Sequence, residues 1–352
     1  MKSYQVFEFG QPLQCVEVKE PSVTGQEVMV RVRAAGVCHS DVHIWEGGYD
    51  LGRGQRLLLK DRGISLPLTM GHEIVGEIVA TGPDVHDRKA GEICLVYPWI
   101  GCGECRVCRQ GEENLCMTPR CLGVHCDGGY SDHVVVPHER YLMPIGDLDP
   151  AVVAPFACSG LTTYSGLKKF GLDLLRDEPI VIIGAGGLGL MCLSILKGMG
   201  GKGAVVVDID AKKRETALKA GALAVVDGSA PTALQEIRKA VGGAAWGVID
   251  LVGNPATAEL GFNALAKGGK LVCIGLFGGE APWSLPLIPM KAAAITGSYT
   301  GSLPEMRELL DLVRSGAVPA IPIERRPLDE ATTILERVRS GEQIGRAVLI
   351  PA

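Results

Sequence analysis

The sequence predicts two structural units of different class, one mostly β and one α/β with a doubly wound parallel sheet. Three observations predict this. The chain has 352 residues, roughly twice the length of a common domain. From Tyr4 to about Tyr141 it reads as short alternating runs split by turns, with little helical periodicity. From about Gly160 the texture changes to apolar strands alternating with helical stretches, the pattern of parallel βαβ units.

In the first unit QEVMVRVRAAGV, GHEIVGEIVATG and SDHVVVP alternate apolar and polar residues and are expected as strands. The segment Leu51–Ser65 is charged and turn-rich. It is expected as an irregular, solvated surface loop, with a role in shaping access to the site as the sharper reading. In the second unit PIVII is an apolar strand, GAGGLG a glycine turn and LMCLSILKGM a helix. KGAVVVDID, AVVDG, WGVIDLVG and KLVCIGLFGG follow as strands. AKKRETALKAGA, TALQEIRKAVGG and NPATAELGFNALAKGG are the helices between them. After about Ile295 the rhythm breaks, and a helix opens at Ser302–Leu303–Pro304. The closing GRAVLIP strand is expected to return to the first unit. There is no internal repeat and no long linker.

Composition narrows the function classes. Hydrophobic residues make up 47% and charged residues 21%, and the net charge is −5. These values exclude a disordered chain. They also give no basic excess for a nucleic-acid backbone, so no nucleic-acid partner is expected. Aromatics, at 5%, are too few for a base-stacking platform. The start, MKSYQVFEFGQP, lacks the pattern of a secretory leader, and glycines and Lys197 interrupt the apolar runs. The expectation is a soluble cytoplasmic protein with no membrane partner. In such a chain twelve cysteines read as metal ligands, reactive thiols or core residues rather than disulfides.

Four of them, Cys102, Cys105, Cys108 and Cys116, form C-x2-C-x2-C-x7-C in GCGECRVCRQGEENLC. Two-residue gaps let successive sulfurs converge on one ion, and four thiolates make a closed tetrahedral zinc site with a structural role. An iron–sulfur run would end C-x3-C-P; here the last gap is seven and Met117 follows. Cys121, His125 and Cys126 offer no convincing fourth ligand and are expected to be packed. Cys15, Cys94, Cys192 and Cys273 are expected in the core, and His86, His133 and His138 as surface or structural residues.

Three further places pair a ligand type with an acid–base neighbour: GVCHSDVH with Cys38, His39, Ser40, Asp41 and His43; MGHEIVGEIV with His72 and Glu73; and APFACSG with Cys158. Two cysteines and a histidine with one open position make a catalytic zinc arrangement. Gly76 stands where a metalloprotease H-E-x-x-H would need its second histidine. The turn Gly184–Gly189 fits G-x-G-x-x-G through Gly184, Gly186 and Gly189, follows a strand and opens a helix. An acid, Asp208, lies 19 residues beyond Gly189 at the end of the next strand. That is a dinucleotide-binding fingerprint, in which Asp208 would accept hydrogen bonds from the adenosine ribose and repel a 2′-phosphate, favouring NAD over NADP. Arg214 works the other way, since a guanidinium can accommodate the phosphate.

Together these motifs resemble the zinc-dependent alcohol dehydrogenases of the medium-chain dehydrogenase/reductase family, and the likeness runs almost end to end. It is nearest to the tetrameric bacterial and archaeal members. The resemblance implies a GroES-like catalytic domain (1–158 and 297–352) with an inserted Rossmann domain (159–296). It implies two zinc ions per subunit. Cys38, His72 and Cys158 would hold the catalytic one, with Asp41 orienting a ligand histidine and Glu73 behind the metal, approaching it during ligand exchange. Ser40 would contact the alcohol, and His43 would end a proton relay to solvent. Thr162, Ile274, Gly275 and Leu276 would lie by the nicotinamide, with Gly187 and Leu188 presenting backbone amides. Lys213 and Arg346 would contact the cofactor, Arg346 at the pyrophosphate. Trp45 and Trp99 would line the substrate pocket.

The expected activity is reversible NAD-linked oxidation of a primary or secondary alcohol to an aldehyde or ketone by a homotetramer. Another zinc member of the family (polyol, threonine or aldehyde-specific) and a non-catalytic structural-zinc protein on the same fold stand as alternatives. The full ligand set argues against the second, and the presence of both metal sets argues against a zinc-free quinone reductase.

Overall fold

The computed structural model describes residues 1–281 and 283–352. In chain order its elements begin with β1 Lys2–Val6, β2 Gln14–Glu17, β3 Val28–Gly36, α1 His39–Glu46, β4 Gly48–Gly52, β5 Gln55–Leu58, β6 Leu68–Thr69, β7 Glu73–Thr81, β8 Ile93–Val96, α2 Arg106–Arg109, β9 His133–Val136, β10 Leu142–Pro144 and α3 Pro150–Val153. They continue with α4 Ser159–Lys168, α5 Leu172–Asp177, β11 Ile180–Ile183, α6 Gly187–Gly198, β12 Ala204–Asp208, α7 Ala211–Lys219, β13 Ala224–Asp227, α8 Ala233–Val241, β14 Ala245–Asp250, α9 Pro255–Ala264, β15 Leu265–Cys273, α10 Leu287–Lys291 and β16 Ala294–Gly297. The chain closes with α11 Leu303–Arg314, β17 Ile323–Pro327, α12 Ala331–Arg339 and β18 Arg346–Ile350.

Two large sheets organise the molecule. In the mostly β unit the strand order is β10-β8-β7-β3-β18-β17, with β9 also pairing with β3. The three strands expected there from alternation are β3, β7 and β9. β18 comes from the chain end and runs antiparallel to β3, with Val348 opposite Gly36 and Leu349 opposite Ala35. The second sheet is parallel throughout, in the order β13-β12-β11-β14-β15-β16. This is the 3-2-1-4-5-6 order of a dinucleotide-binding sheet, which opens a crevice where the order reverses, beside β11. Its central strands are fully buried: Ile180–Ile183 and Ala204–Val207 are at most 2% exposed, as helices on both faces require.

Two sequence expectations are corrected. Leu51–Ser65 is not irregular. β4 and β5 pair as a hairpin whose tip, Gly52–Arg53–Gly54, has positive φ at all three residues. Its strands are short and its turn is not an Asn-Gly or Asp-Gly signal. Cys15 is exposed, not core, because β2 pairs only with β1 at the margin of a small three-stranded sheet. Cys94 and Cys192 are buried and Cys273 is half-buried. Among the described residues no helix is long and apolar enough to cross a membrane.

Candidate active site

The four cysteines of the C-x2-C-x2-C-x7-C run converge. Cys102 and Cys108 sulfurs are 3.9 Å apart, Cys105 and Cys108 3.4 Å, and Cys105 and Cys116 3.9 Å. Tetrahedral ligands at a Zn–S distance of about 2.3 Å lie about 3.8 Å from one another, so the set fits one zinc ion. The lobe is tied to the sheet by buried Glu113. Its carboxylate accepts from the Gly101 amide (3.2 Å) and the Tyr141 hydroxyl (2.7 Å).

The second set is assembled from three elements. β3 delivers Cys38 to the start of α1, His72 immediately precedes β7, and Cys158 sits at the start of α4. All three are buried, with ligand atoms within 4.8 Å of one another. The Cys38 and Cys158 sulfurs are 3.8 Å apart, again the spacing of two zinc thiolates. Asp41, fully buried, organises the group. It accepts from His72 Nδ1 (2.9 Å), the Cys38 amide (2.9 Å) and the Tyr130 hydroxyl (3.0 Å). The same carboxylate therefore caps α1 and fixes the His72 ring. With Nδ1 engaged, Nε2 is left buried without a partner, the state of a ligand nitrogen whose tautomer has been set from behind. Burial by itself would lower the His72 pKa, but Asp41 more than offsets it and raises it well above the usual histidine value. The contact between the two thiols divides them, Cys38 being held below the ordinary thiol range and Cys158 above it.

Glu73 lies behind this group. Gly36 makes room for it: a Cβ there would sit 2.0 Å from Glu73 Oε2. Its carboxylate accepts from the Ser159 amide at 3.1 Å and pairs with the Arg346 guanidinium. Burial pushes the carboxyl up to about 7 against the pull of Arg346. Both Glu73 oxygens are thus committed to other partners in this conformation.

Beside the cysteines is a cavity of about 130 Å³, lined in part by Cys38, Ser40, His43, Trp99, Cys158 and Thr162, with Ile274 and Leu276. His43 is buried with Nε2 unpartnered, and burial pulls its pKa down to about 4, so the ring is neutral at neutral pH. Trp99 donates its indole N–H to the Ala157 carbonyl and faces the His72 ring at 5.3 Å. Trp45 is a correction, since it does not line the cavity. Two residues along α1 from His43, its side chain points about 200° away. It is buried under α12, its N–H on the Gln11 carbonyl and Arg339 over its ring. Sequence reasoning named His39 in GVCHSDVH without giving it a role, and missed Tyr49, Phe277 and Tyr299 in the lining. His39 is four residues from His43 and so on the same helix face, a signal that was available. Tyr49 comes from β4, directly after α1, whereas Phe277 and Tyr299 arrive from distant segments.

A larger cleft of about 790 Å³ runs over the C-terminal ends of β11 and β12. Gly184, Gly186, Gly187, Leu188, Gly189, Asp208, Lys213 and Arg346 all line it. Gly189 is required for the turn, because a Cβ there would lie 1.9 Å from the Gly184 carbonyl oxygen. A Cβ at Gly186 would meet nothing within 4 Å, so that glycine leaves the cleft floor open beside the α6 N-terminus, as a pyrophosphate needs. His39, Leu188, Leu251 and Phe277 line both the cleft and the small cavity. The two therefore adjoin one another across these residues.

Comparison with known proteins follows the same division. Residues 24–147 match the alcohol dehydrogenase GroES-like domain, and residues 187–315 the zinc-binding dehydrogenase domain. The chain is 37% identical over 353 residues to an NAD-dependent alcohol dehydrogenase of Sulfurisphaera tokodaii, covering all of both chains. The chain belongs to the zinc-dependent alcohol dehydrogenase family. A second full-length relative, at 37% identity, is the NAD-dependent alcohol dehydrogenase of Saccharolobus solfataricus. The crystal structure of the alcohol dehydrogenase from Aeropyrum pernix superposes with a TM-score of 0.90 at 30% identity, covering 100% of each chain. This family of medium-chain dehydrogenases combines a GroES-like domain with a Rossmann sheet, the two architectures described above.

Proposed function

We propose that this dehydrogenase interconverts small primary or secondary alcohols with aldehydes or ketones, using zinc and NAD. The observation that carries the reading is the adjacency of the two cavities. The dinucleotide cleft and the space beside Cys38 and Cys158 share His39, Leu188, Leu251 and Phe277 as walls. A nucleotide filling the cleft has its far end delivered to the metal-ligand set.

Cys38, His72 and Cys158 would hold the catalytic zinc and Cys102, Cys105, Cys108 and Cys116 the structural one. The catalytic ion supplies a Lewis acid for the alcohol oxygen and the nicotinamide a hydride acceptor. Two thiolates balance the charge of the ion. The chain's own residues do the rest. Ser40, on the cavity wall, takes the hydroxyl proton of the alcohol. His43 is its outlet toward solvent, and burial keeps that imidazole neutral. Asp41 holds His72 by Nδ1, which leaves Nε2 as the nitrogen turned toward the metal. Glu73 braces the start of α4 at Ser159, beside Cys158. Thr162, Ile274, Gly275 and Leu276 flank the nicotinamide end, Gly187 and Leu188 offer amides, Asp208 and Lys213 hold the adenosine end, and Arg346 faces the pyrophosphate. Trp99 narrows the substrate space.

The reading extends to a catalytic unit of residues 1–158 and 297–352 around a cofactor unit of 159–296, and to a cytoplasmic homotetramer. The unpaired outer edge of β16 and exposed Leu285, Leu287 and Met290 close by support association with further copies. The test is NADH formation with a panel of primary alcohols, secondary alcohols and polyols, for wild type and Cys158→Ser. Turnover lost in the variant supports the reading, and equal turnover in both rejects it.

A further inference from the structure

The adenosine end of the cleft holds a cation that takes no part in lining it. Arg214, in the first turn of α7, is absent from the cleft wall although it is adjacent to Asp208. One guanidinium nitrogen donates to the Asp208 backbone carbonyl at 2.8 Å, and another lies 3.1 Å from Asp227 Oδ2. Asp208 and Asp227 end neighbouring parallel strands and are register partners, so the guanidinium is clamped between two strand ends. Asp227 is itself fixed, its Oδ1 accepting from the Ser229 amide (2.9 Å) and hydroxyl (2.6 Å). Ser229 does line the cleft. The Asp208 carboxylate is also oriented, by the Ala185 amide at 2.7 Å and the Asp210 amide at 2.9 Å.

Discrimination between the two dinucleotides turns on the 2′-substituent of the adenosine ribose. An acid at the strand end accepts from a hydroxyl, whereas a nearby guanidinium accommodates a phosphate. This chain carries both, with the guanidinium bonded to the backbone carbonyl of the residue that bears the acid. We propose that Asp227 is a second determinant of cofactor choice: it holds Arg214 off the cleft, and without that clasp the guanidinium serves a 2′-phosphate. Asp208 then excludes the phosphate by repulsion and Asp227 by withholding the cation that would receive it. Lys213, a further cation at this end, lines the cleft directly and makes no ion pair among the described residues. Asp227 is kept ionised, first by the Ser229 hydroxyl bond and further by Arg214, which lower its pKa. This inference rests on the reading of the cleft as a dinucleotide site.

The experiment is fluorescence titration of the full chain with NADH and with NADPH. It compares wild type, Asp208→Ser, Asp227→Asn, Asp208→Ser/Asp227→Asn, and that double variant with Arg214→Gln added. Asparagine keeps an acceptor for Ser229 while removing the charge that holds Arg214. Asp227→Asn alone is expected to retain NADH binding, which shows that the fold survives. The double variant is expected to bind NADPH about tenfold or more tightly than Asp208→Ser alone, the scale of a charge-assisted hydrogen bond. Arg214→Gln is expected to erase that gain. Equal NADPH affinity in Asp208→Ser and the double variant, or a gain that survives Arg214→Gln, overturns the inference while the dinucleotide reading stands. A wild type that binds neither nucleotide overturns both.

Discussion

Asp41→Asn replaces two oxygens by one oxygen and one amide at the most connected point of the site. Asp41 is fully buried and receives three hydrogen bonds, from His72 Nδ1, the Cys38 amide and the Tyr130 hydroxyl. Its Oδ2 serves the two chain-fixed donors, so an asparagine keeping those bonds turns its NH₂ toward His72. Nδ1 must then become the acceptor and the ring proton moves to Nε2, the nitrogen that would bind the metal. The alternative amide orientation leaves the Cys38 N–H facing a donor. Either way about one hydrogen bond to a charged group is lost, about 1.5–3 kcal/mol. That corresponds to roughly 10–100-fold in zinc affinity, the range found when the partner of a ligating histidine is removed. The assay is chelator competition on the purified protein, with the four-cysteine lobe as an internal reference that must not change. Zinc affinity at the Cys38 set within twofold of wild type (a difference under about 0.5 kcal/mol) would refute the tautomer argument.

Three other outcomes are expected. Gly189→Ala pushes a methyl onto the Gly184 carbonyl, while at Gly186 the new Cβ meets only open space. Thermal melts should therefore show a lower Tm for Gly189→Ala only, and NADH titration a weakening of at least about tenfold (about 1.4 kcal/mol) for Gly186→Ala at unchanged Tm. Trp45→Ala should cost about 3–5 kcal/mol of stability and leave the alcohol preference intact, whereas Trp99→Ala should shift kcat/KM toward bulkier alcohols. Glu324 is held down to about 2, chiefly by Arg337, against about 4.3 for an ordinary glutamate. Its folded-state pKa is depressed, so its stabilisation is present above about 4.3 and lost as pH falls through about 2. The Tm advantage of wild type over Glu324→Gln should shrink across that window on acidification, and a constant difference would contradict the assignment.

Legibility in the sequence followed how local each feature is. The Cys102–Cys116 run is a spacing rule within fifteen positions, and its geometry forms inside one loop. The glycine turn was equally local, each glycine being specified by its own strand and helix. Cys38, His72 and Cys158 lie far apart in the chain and were grouped only through family resemblance; nothing in their individual contexts says that β3, β7 and α4 meet. Trp45 was misplaced because the family resemblance put it at the pocket, whereas helical periodicity sends it to the opposite side of α1 from His43. Tyr49, Phe277 and Tyr299 were invisible because each reaches the cavity from a segment whose local pattern carries no signal of it. Arg214 pointed both ways from sequence alone, since only the register of β12 against β13 brings Asp227 to its guanidinium.

The most direct test of the account is the zinc content per subunit of wild type and Cys38→Ser, with NAD-linked alcohol oxidation followed on the same samples. The two donor sets predict two zinc ions in wild type, and one in Cys38→Ser together with loss of turnover. A single zinc in wild type that Cys38→Ser leaves in place, with oxidation unchanged, would contradict the claim that Cys38, His72 and Cys158 form the catalytic centre.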